Sequence, residues 1–389
     1  MIETPVNHRN LDVILNSDDL ELIYTIKQFP IFMGCVDDDS VHDKFFDMNF
    51  CISKSSGIIQ LNPIVSLEEV YRNSHGSGKI GKLWIEHNCE FSKFIKKYNP
   101  KSVLEIGGGS GNLSKSYHEK YGLIDWTIVE PNSADSSNLE GVHIIREFFN
   151  ENSIIDHNVD AVLHSHVIEH ILYPNDFLRL IRTYLHSDKK MIFSVPNLKE
   201  MFSRYYTNCI NFEHTILLTD DYIDFLLMKN NFKIIEKVFF KQDHSIFYAV
   251  EANHLLEECF LIPEIYQINK EALLNYIKYI ENLVLTINEN IKNQQDVYLF
   301  GGHIFSQFLI YMGLDITNIK CILDNDETKQ DKRLYGTNLI VSSPKILEGV
   351  KNPKIILCVA TYKKEIESDI LTNINKDAIF IHEDCGNFI

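Results

Sequence analysis

VLEIGGGSGNLS, residues 103–114, decides how this chain reads. An apolar run from Val103 to Ile106 stops at Gly107, Gly108, Gly109 and Gly111, and a helix-compatible segment, LSKSYHEKY, follows from Leu113. Glycines permit a sharp turn and let a ligand approach the backbone, while a helix start offers unpaired N–H groups. Glu105, Gly107, Gly109 and Gly111 therefore stand at E-x-G-x-G-x-G spacing between a predicted strand and a predicted helix, a geometry suited to a nucleotide-like ligand. Glu130 closes the next predicted strand, WTIVE, and a carboxylate there can accept both hydroxyls of a ribose.

Working outward, strand and helix alternate: HIIRE from His143, DAVLHS from Asp160, a helix through NDFLRLIRTYL, then MIFSV from Met191. Such interleaving implies a parallel sheet covered on both faces. FKIIEKVFFK and SIFYAVE read as a closing strand pair that ends near Glu251. Apolar residues recur at helical spacing over 264–293, giving one long connecting helix. Beyond it, VYLFGG, HIFSQFLIYMGL, KCILDND and KIILCVA spell a second, smaller α/β unit. Residues 1–70 read as short strands and turns. The expected division is an N-terminal segment at 1–70, a core at 71–255 and a C-terminal Rossmann-like domain with its leading helix at 256–389.

Composition narrows the function classes. The chain has 389 residues, 45% of them hydrophobic, which is ample for packed cores. Its 37 basic and 54 acidic residues give a net charge of −17, opposing general attraction to nucleic acid or anionic membranes. The N-terminus lacks a basic start followed by an apolar segment, and no apolar run has membrane-spanning length, so a cytoplasmic location is expected. Eight cysteines are scattered without a CxxC pair, so reduced thiols are expected. Histidines gather at His164, His166 and His170, but the predicted strand end and turn do not place them on one side of a helix, so no metal is expected.

Two cofactors compete for the glycine turn. A dinucleotide loop needs a third glycine at the place of Asn112, and Glu105 would face passing phosphates. A cationic sulfonium with an amino-acid tail would instead welcome that carboxylate, which favours S-adenosylmethionine over NAD. VLEIGGGSG, WTIVEPN and DAVLHSHVIEHILYP together resemble the class I S-adenosylmethionine-dependent methyltransferases. The resemblance implies an α/β fold with a seven-stranded Rossmann-like core. It also implies that Glu105 and the loop Gly107, Gly108, Gly109, Gly111 and Asn112 hold the methionine part, with Glu130 and Pro131 at the ribose. Phe148 or Phe149 would lie near the adenine, and Ser165 or His166 would border the methyl group. Tyr71, with Ser74 and His75, belongs to a glycine-rich stretch that reads as a lid over the cofactor.

On the acceptor side, a base of near-neutral pKa serves methyl transfer, and the pair Glu213–His214 follows the strand of MIFSVPN. His214 is the expected base, with Glu213 orienting or charging it. The whole arrangement is similar to the sugar C-methyltransferase family, through GIIQLNP, the core, the long helix, GGHIFSQFLIYMGLD, ILDND and YGTNLIVSSP. That resemblance implies a nucleotide-linked sugar as substrate, a crevice built partly by the final domain, and a role in surface polysaccharide synthesis. Two departures stand out. Ser53 and Ser56 occupy places where the family carries zinc-binding cysteines, and Asn211 replaces a tyrosine two residues before the glutamate. Carbon methylation needs a ketosugar and enolate stabilisation, whereas oxygen methylation needs only a hydroxyl and a base, so the depleted site favours oxygen. C-methylation of a ketosugar is the nearest alternative, and an NAD-dependent sugar oxidoreductase or epimerase a further one. Lys199, Arg204 and Arg333 are read as exposed partners for the substrate's phosphates, and Gly301 and Gly302 with Asp324 as a structural turn or substrate wall.

Overall fold

The computed structural model describes residues 6–70, 81–132, 140–151, 153, 159–185, 189–253 and 265–382. The expected lid, with Tyr71, Ser74 and His75, lies outside them.

The core opens with α1 (Lys82–Lys96), which buries Leu83, His87, Phe91, Phe94 and Ile95 along one face. Then come β4 (Ser102–Ile106), α2 (Asn112–Tyr121), β5 (Asp125–Val129), β6 (Val142–Ile145), β7 (Ala161–Ser165), α3 (Pro174–Tyr184), β8 (Lys190–Pro196), α4 (Leu198–Ser203) and α5 (Asp220–Lys229), closing with the pair β9 (Phe232–Phe240) and β10 (Ser245–Ala252). One seven-stranded sheet runs in the order β9-β10-β8-β7-β4-β5-β6. It is parallel except for β10, which lies antiparallel to both β8 and β9. Apolar residues make β4 and β7 buried almost throughout, as a strand covered on both faces requires. In α3, Phe177, Leu178, Ile181 and Tyr184 form the buried stripe. Strand order reverses direction at β4, so the crevice past the carboxyl ends of β4 and β7 is where a ligand fits.

Ahead of the core, β1 (Leu20–Pro30), β2 (Phe45–Ser53) and β3 (Ile59–Leu61) form an antiparallel sheet. The expectation of short strands is corrected here: β1 has 11 residues. Register shifts at Leu22/Tyr24 and Ile26/Phe29 interrupt the period-two alternation that would reveal a long strand.

The long helix α6 (Tyr266–Ile291) leads to a five-stranded parallel sheet in the order β13 (Val341–Ser342), β12 (Ile319–Leu323), β11 (Val297–Phe300), β14 (Lys354–Ile356), β15 (Ile379–Ile381). The helix α7 (Ile304–Tyr311) follows β11. The three parts share one core. Phe29 of β1 packs its ring 6.0 Å from Phe212 of the core and 6.1 Å from Phe308 of α7. The strand Cys35–Val36 pairs with Arg333–Leu334 of the C-terminal unit. Among the described residues, no helix is long and apolar enough to cross a membrane.

Candidate active site

The glycine turn sits where β4 meets α2. Gly107 (φ 70°), Gly109 (φ 54°) and Gly111 (φ 76°) adopt left-handed backbone that side chains resist. The loop has a closed side and an open one. A Cβ on Gly108 would fall 2.7 Å from Ile128 Cγ2 and 2.9 Å from Glu105 Cδ, whereas a Cβ on Gly109 would meet nothing within 4 Å. Gly111 caps α2 and offers no side-chain hydrogen bond to the first N–H groups of the helix. Asn112 donates from Nδ2 to Ser110 Oγ at 2.8 Å.

Glu105 lies buried beneath this loop and accepts a 2.7 Å hydrogen bond from Trp126 Nε1. Burial raises its pKa to about 7 against the pull of the indole N–H, and Glu130 adds repulsion. Glu130, partly exposed, accepts from Gly109 N at 3.2 Å and, through its other oxygen, from Asn132 N at 3.0 Å. Glu105 and Glu130 thus both lie against the glycine loop, the chemistry expected around a cationic donor carrying a ribose. Pro131 follows on the rim, partly exposed. Phe148 is exposed, and Phe149 packs against Phe177 and Tyr184 at 6.2 and 5.6 Å.

A second cluster lies past the ends of β7 and β8. Ser165 ends β7, and His166 follows in left-handed backbone, φ 54°, a strained conformation for histidine. His166 Nε2 is 2.8 Å from Ser245 Oγ, and its Nδ1 is 3.3 Å from Glu169 Oε1. Trp84 packs edge-on against His87, His166 and His244 and donates to Tyr362 Oη at 3.0 Å, tying the core to the C-terminal unit. Together these walls enclose a cavity of about 220 Å³, with Glu169, His170, His214 and Ala360 also on its lining. Ala360 too has left-handed backbone, φ 54°.

His214 owes its position to a turn that Asn211 builds. The buried Asn211 side chain accepts from the backbone N–H of Glu213 at 2.8 Å and of His214 at 3.0 Å. His214 Nδ1 lies 3.1 Å from the carbonyl of Asn208, so Nδ1–H donates there and the lone pair is at Nε2. The orienting role expected of Glu213 is therefore filled by Asn208. The Glu213 charge instead acts on His170. His214 Nε2 stands 3.3 Å from His170 Nε2. Burial holds His166 at about 3 and His170 at about 4, with His214 disfavouring protonation of both.

Three phosphate candidates are already engaged. Lys199 pairs with Asp221 at 2.7 Å, and Arg204 pairs with Glu200 at 2.8 Å and Asp243 at 3.5 Å. Arg333 is not exposed: it is buried, with Nη1 and Nη2 donating to the two carboxylate oxygens of Asp43 at 2.6 and 2.7 Å. At the second glycine turn, Gly302 N donates to Asp324 Oδ2 at 2.8 Å, and a Cβ there would meet Cys35 Sγ at 3.0 Å, which favours a structural role. Sequence reasoning missed Glu169, Asn208, Trp84 and Tyr362. Only the adjacency of Glu169 and His170 in HVIEH hinted at the first of them.

Residues 86–237 match a family described as a methyltransferase domain. Among curated proteins none matches the chain. Solved structures with partial likeness include the 1,6-didemethyltoxoflavin-N1-methyltransferase of Burkholderia thailandensis with bound S-adenosylhomocysteine, at 15% identity, covering 44% of this chain and 81% of that one with a TM-score of 0.36. A Pyrococcus horikoshii protein matches at 18% identity over 48% of this chain and 100% of that one, TM-score 0.38. An S-adenosylmethionine-dependent methyltransferase of Clostridium acetobutylicum matches at 13% identity over 47% and 96%, TM-score 0.35. Residues 86–237 of the chain thus carry a methyltransferase domain.

Proposed function

We propose that this methyltransferase acts on a hydroxyl of a nucleotide-linked sugar used for surface polysaccharide. The observation that carries the reading is the cavity at the ends of β7 and β8, which joins the histidine cluster of the core to the turn Ala360–Tyr362 of the C-terminal unit. A substrate with two unlike ends suits a cleft made by two unlike units, and the three-part order of the chain supports the same substrate class.

S-adenosylmethionine supplies a methyl group already activated on a sulfonium. Gly107, Gly108, Gly109, Gly111 and Asn112 would hold its amino-acid part with Glu105 beneath them, and Glu130 with Pro131 would take the ribose. Ser165 and His166 would border the methyl, and Phe148 is the exposed ring on the adenine side. His214, fixed by Asn208 at Nδ1, meets the acceptor hydroxyl with its Nε2 lone pair and takes the proton. His166, held neutral by its burial, keeps competing positive charge away from the donor.

Incubation with the donor and a panel of GDP-, dTDP- and UDP-sugars, read by mass spectrometry, should show one sugar gaining the mass of a methylene. No gain with any of them overturns the substrate class. With a ketosugar in heavy water, uptake of deuterium next to the carbonyl would move the reaction from oxygen to carbon.

A further inference from the structure

Glu169, His170 and His214 form a group the methyl-transfer chemistry does not fully account for. Their ligand-capable atoms all lie within 4.8 Å of one another, on the wall of the acceptor cavity. The spacing of the two imidazoles is informative. An Nε2–Nε2 separation of 3.3 Å is long for a hydrogen bond between neutral rings. Two nitrogens bound ~2.0–2.1 Å from a tetrahedral ion stand about 3.3–3.4 Å apart. Asn208 fixes the His214 tautomer so that Nε2 carries the lone pair, the arrangement a metal-binding histidine adopts when a carbonyl holds its other nitrogen.

The carboxylate points the same way. Glu169 is 2% exposed, and beyond His166 Nδ1, 3.3 Å from Oε1, its oxygens find no other side-chain donor. A buried carboxylate without such donors is costly, and a divalent cation removes that cost. In the neighbouring trio His87, His166 and His244, one nitrogen of each ring is instead held by a serine hydroxyl, Ser194 at 2.9 Å or Ser245 at 2.8 and 2.6 Å.

We propose that Glu169, His170 and His214 hold a divalent cation of the Zn²⁺ or Co²⁺ kind, with the acceptor oxygen of the substrate as a further ligand. Two imidazoles and one carboxylate suit borderline cations, and the cavity leaves positions open as a catalytic site requires. The inference rests on the acceptor-site reading above and revises one part of it. With the cation present, His214 is a ligand and not the base. The bound hydroxyl becomes acidic, its proton passes to solvent water, and the oxygen's electron pair forms the new O–C bond as the donor's S–C bond breaks with its pair kept on sulfur.

The test strips the full-length protein with chelator and titrates it with Co²⁺ by visible absorption and with Zn²⁺ by calorimetry. One saturable site per chain is expected, weakened at least about tenfold in Glu169→Gln and in His170→Ala. Undiminished binding of S-adenosylhomocysteine by both variants certifies their fold. No saturable binding overturns the proposal, as does binding equal in the two variants, or binding lost in His87→Gln and His244→Gln instead. A proton shared between Glu169 and His166 is the competing account, and it predicts no cation uptake. Full-rate methylation by the stripped enzyme overturns the cation's role while leaving the sugar reading intact. Stoichiometric Co²⁺ without methylation of any sugar supports the site and overturns the sugar reading alone.

Discussion

Glu105 is the residue whose surroundings make the sharpest demand. Buried under the glycine turn with one indole N–H for company, it keeps its proton to about 7 instead of its ordinary 4.5. A carboxyl whose pKa rises on folding stabilises the fold fully only below its unfolded value, and that contribution is lost as pH climbs through the folded one. A cationic donor favours the ionised form and must expel the proton, so affinity for S-adenosylmethionine should climb from about pH 6 to about pH 8 and then level off. In Glu105→Gln the curve should be flat, and calorimetry across that range reads it directly. A wild-type affinity independent of pH would show that Glu105 does not sense the donor's charge.

At the scale of elements, the glycine turn and the Glu213–His214 turn differ in how openly the sequence announces them. The first is legible because left-handed backbone at Gly107, Gly109 and Gly111 makes its demand locally, within one turn of chain. The alternation of strands around it was legible for the same reason, since each buried strand is a short apolar run. The second element hides its logic. Asn211 reads as a lost tyrosine, yet its side chain shapes the turn, and His214 meets His170 across 44 positions of sequence. No local pattern encodes that meeting, which depends on the sheet bringing the ends of β7 and β8 together. Likewise the bulges in β1 conceal its length. The two sides of the glycine turn can be told apart by substitution. Gly108→Ala should cost about 1–3 kcal/mol of stability through its clash with Ile128 and Glu105. Gly109→Ala, with open space around the new methyl, should cost only the about 1–2 kcal/mol of its left-handed backbone but lose at least about tenfold in donor affinity. Equal effects from both would place the ligand elsewhere.

Taken whole, the molecule anchors the loop of His214 from the N-terminal side. Leu61 N donates to Thr215 O at 2.8 Å and Leu217 N to Ile59 O at 2.9 Å, so the backbone just after His214 is stitched to β3. Arg9, buried, adds four hydrogen bonds: Nη1 to Leu172 O and Thr215 Oγ1, Nη2 to Leu61 O and Thr215 O. Its pKa is lowered to about 10 by burial, which leaves it charged at neutral pH. Arg9→Gln should cost about 2–4 kcal/mol of stability and lower kcat while leaving donor affinity near wild type, because on the proposed reading the loop it steadies serves the acceptor. A fall in donor affinity as large as that in kcat would contradict this division. The opposite wall comes from the turn Ala360–Tyr362, 164 residues beyond the end of the MIFSVP strand at Pro196 and held to the core by the Trp84–Tyr362 hydrogen bond. On the proposed reading, part of the recipient's wall is thus built by a stretch of polypeptide that takes no part in the glycine turn. Exchanging that short turn would then change which recipients fit while leaving the donor's pocket intact.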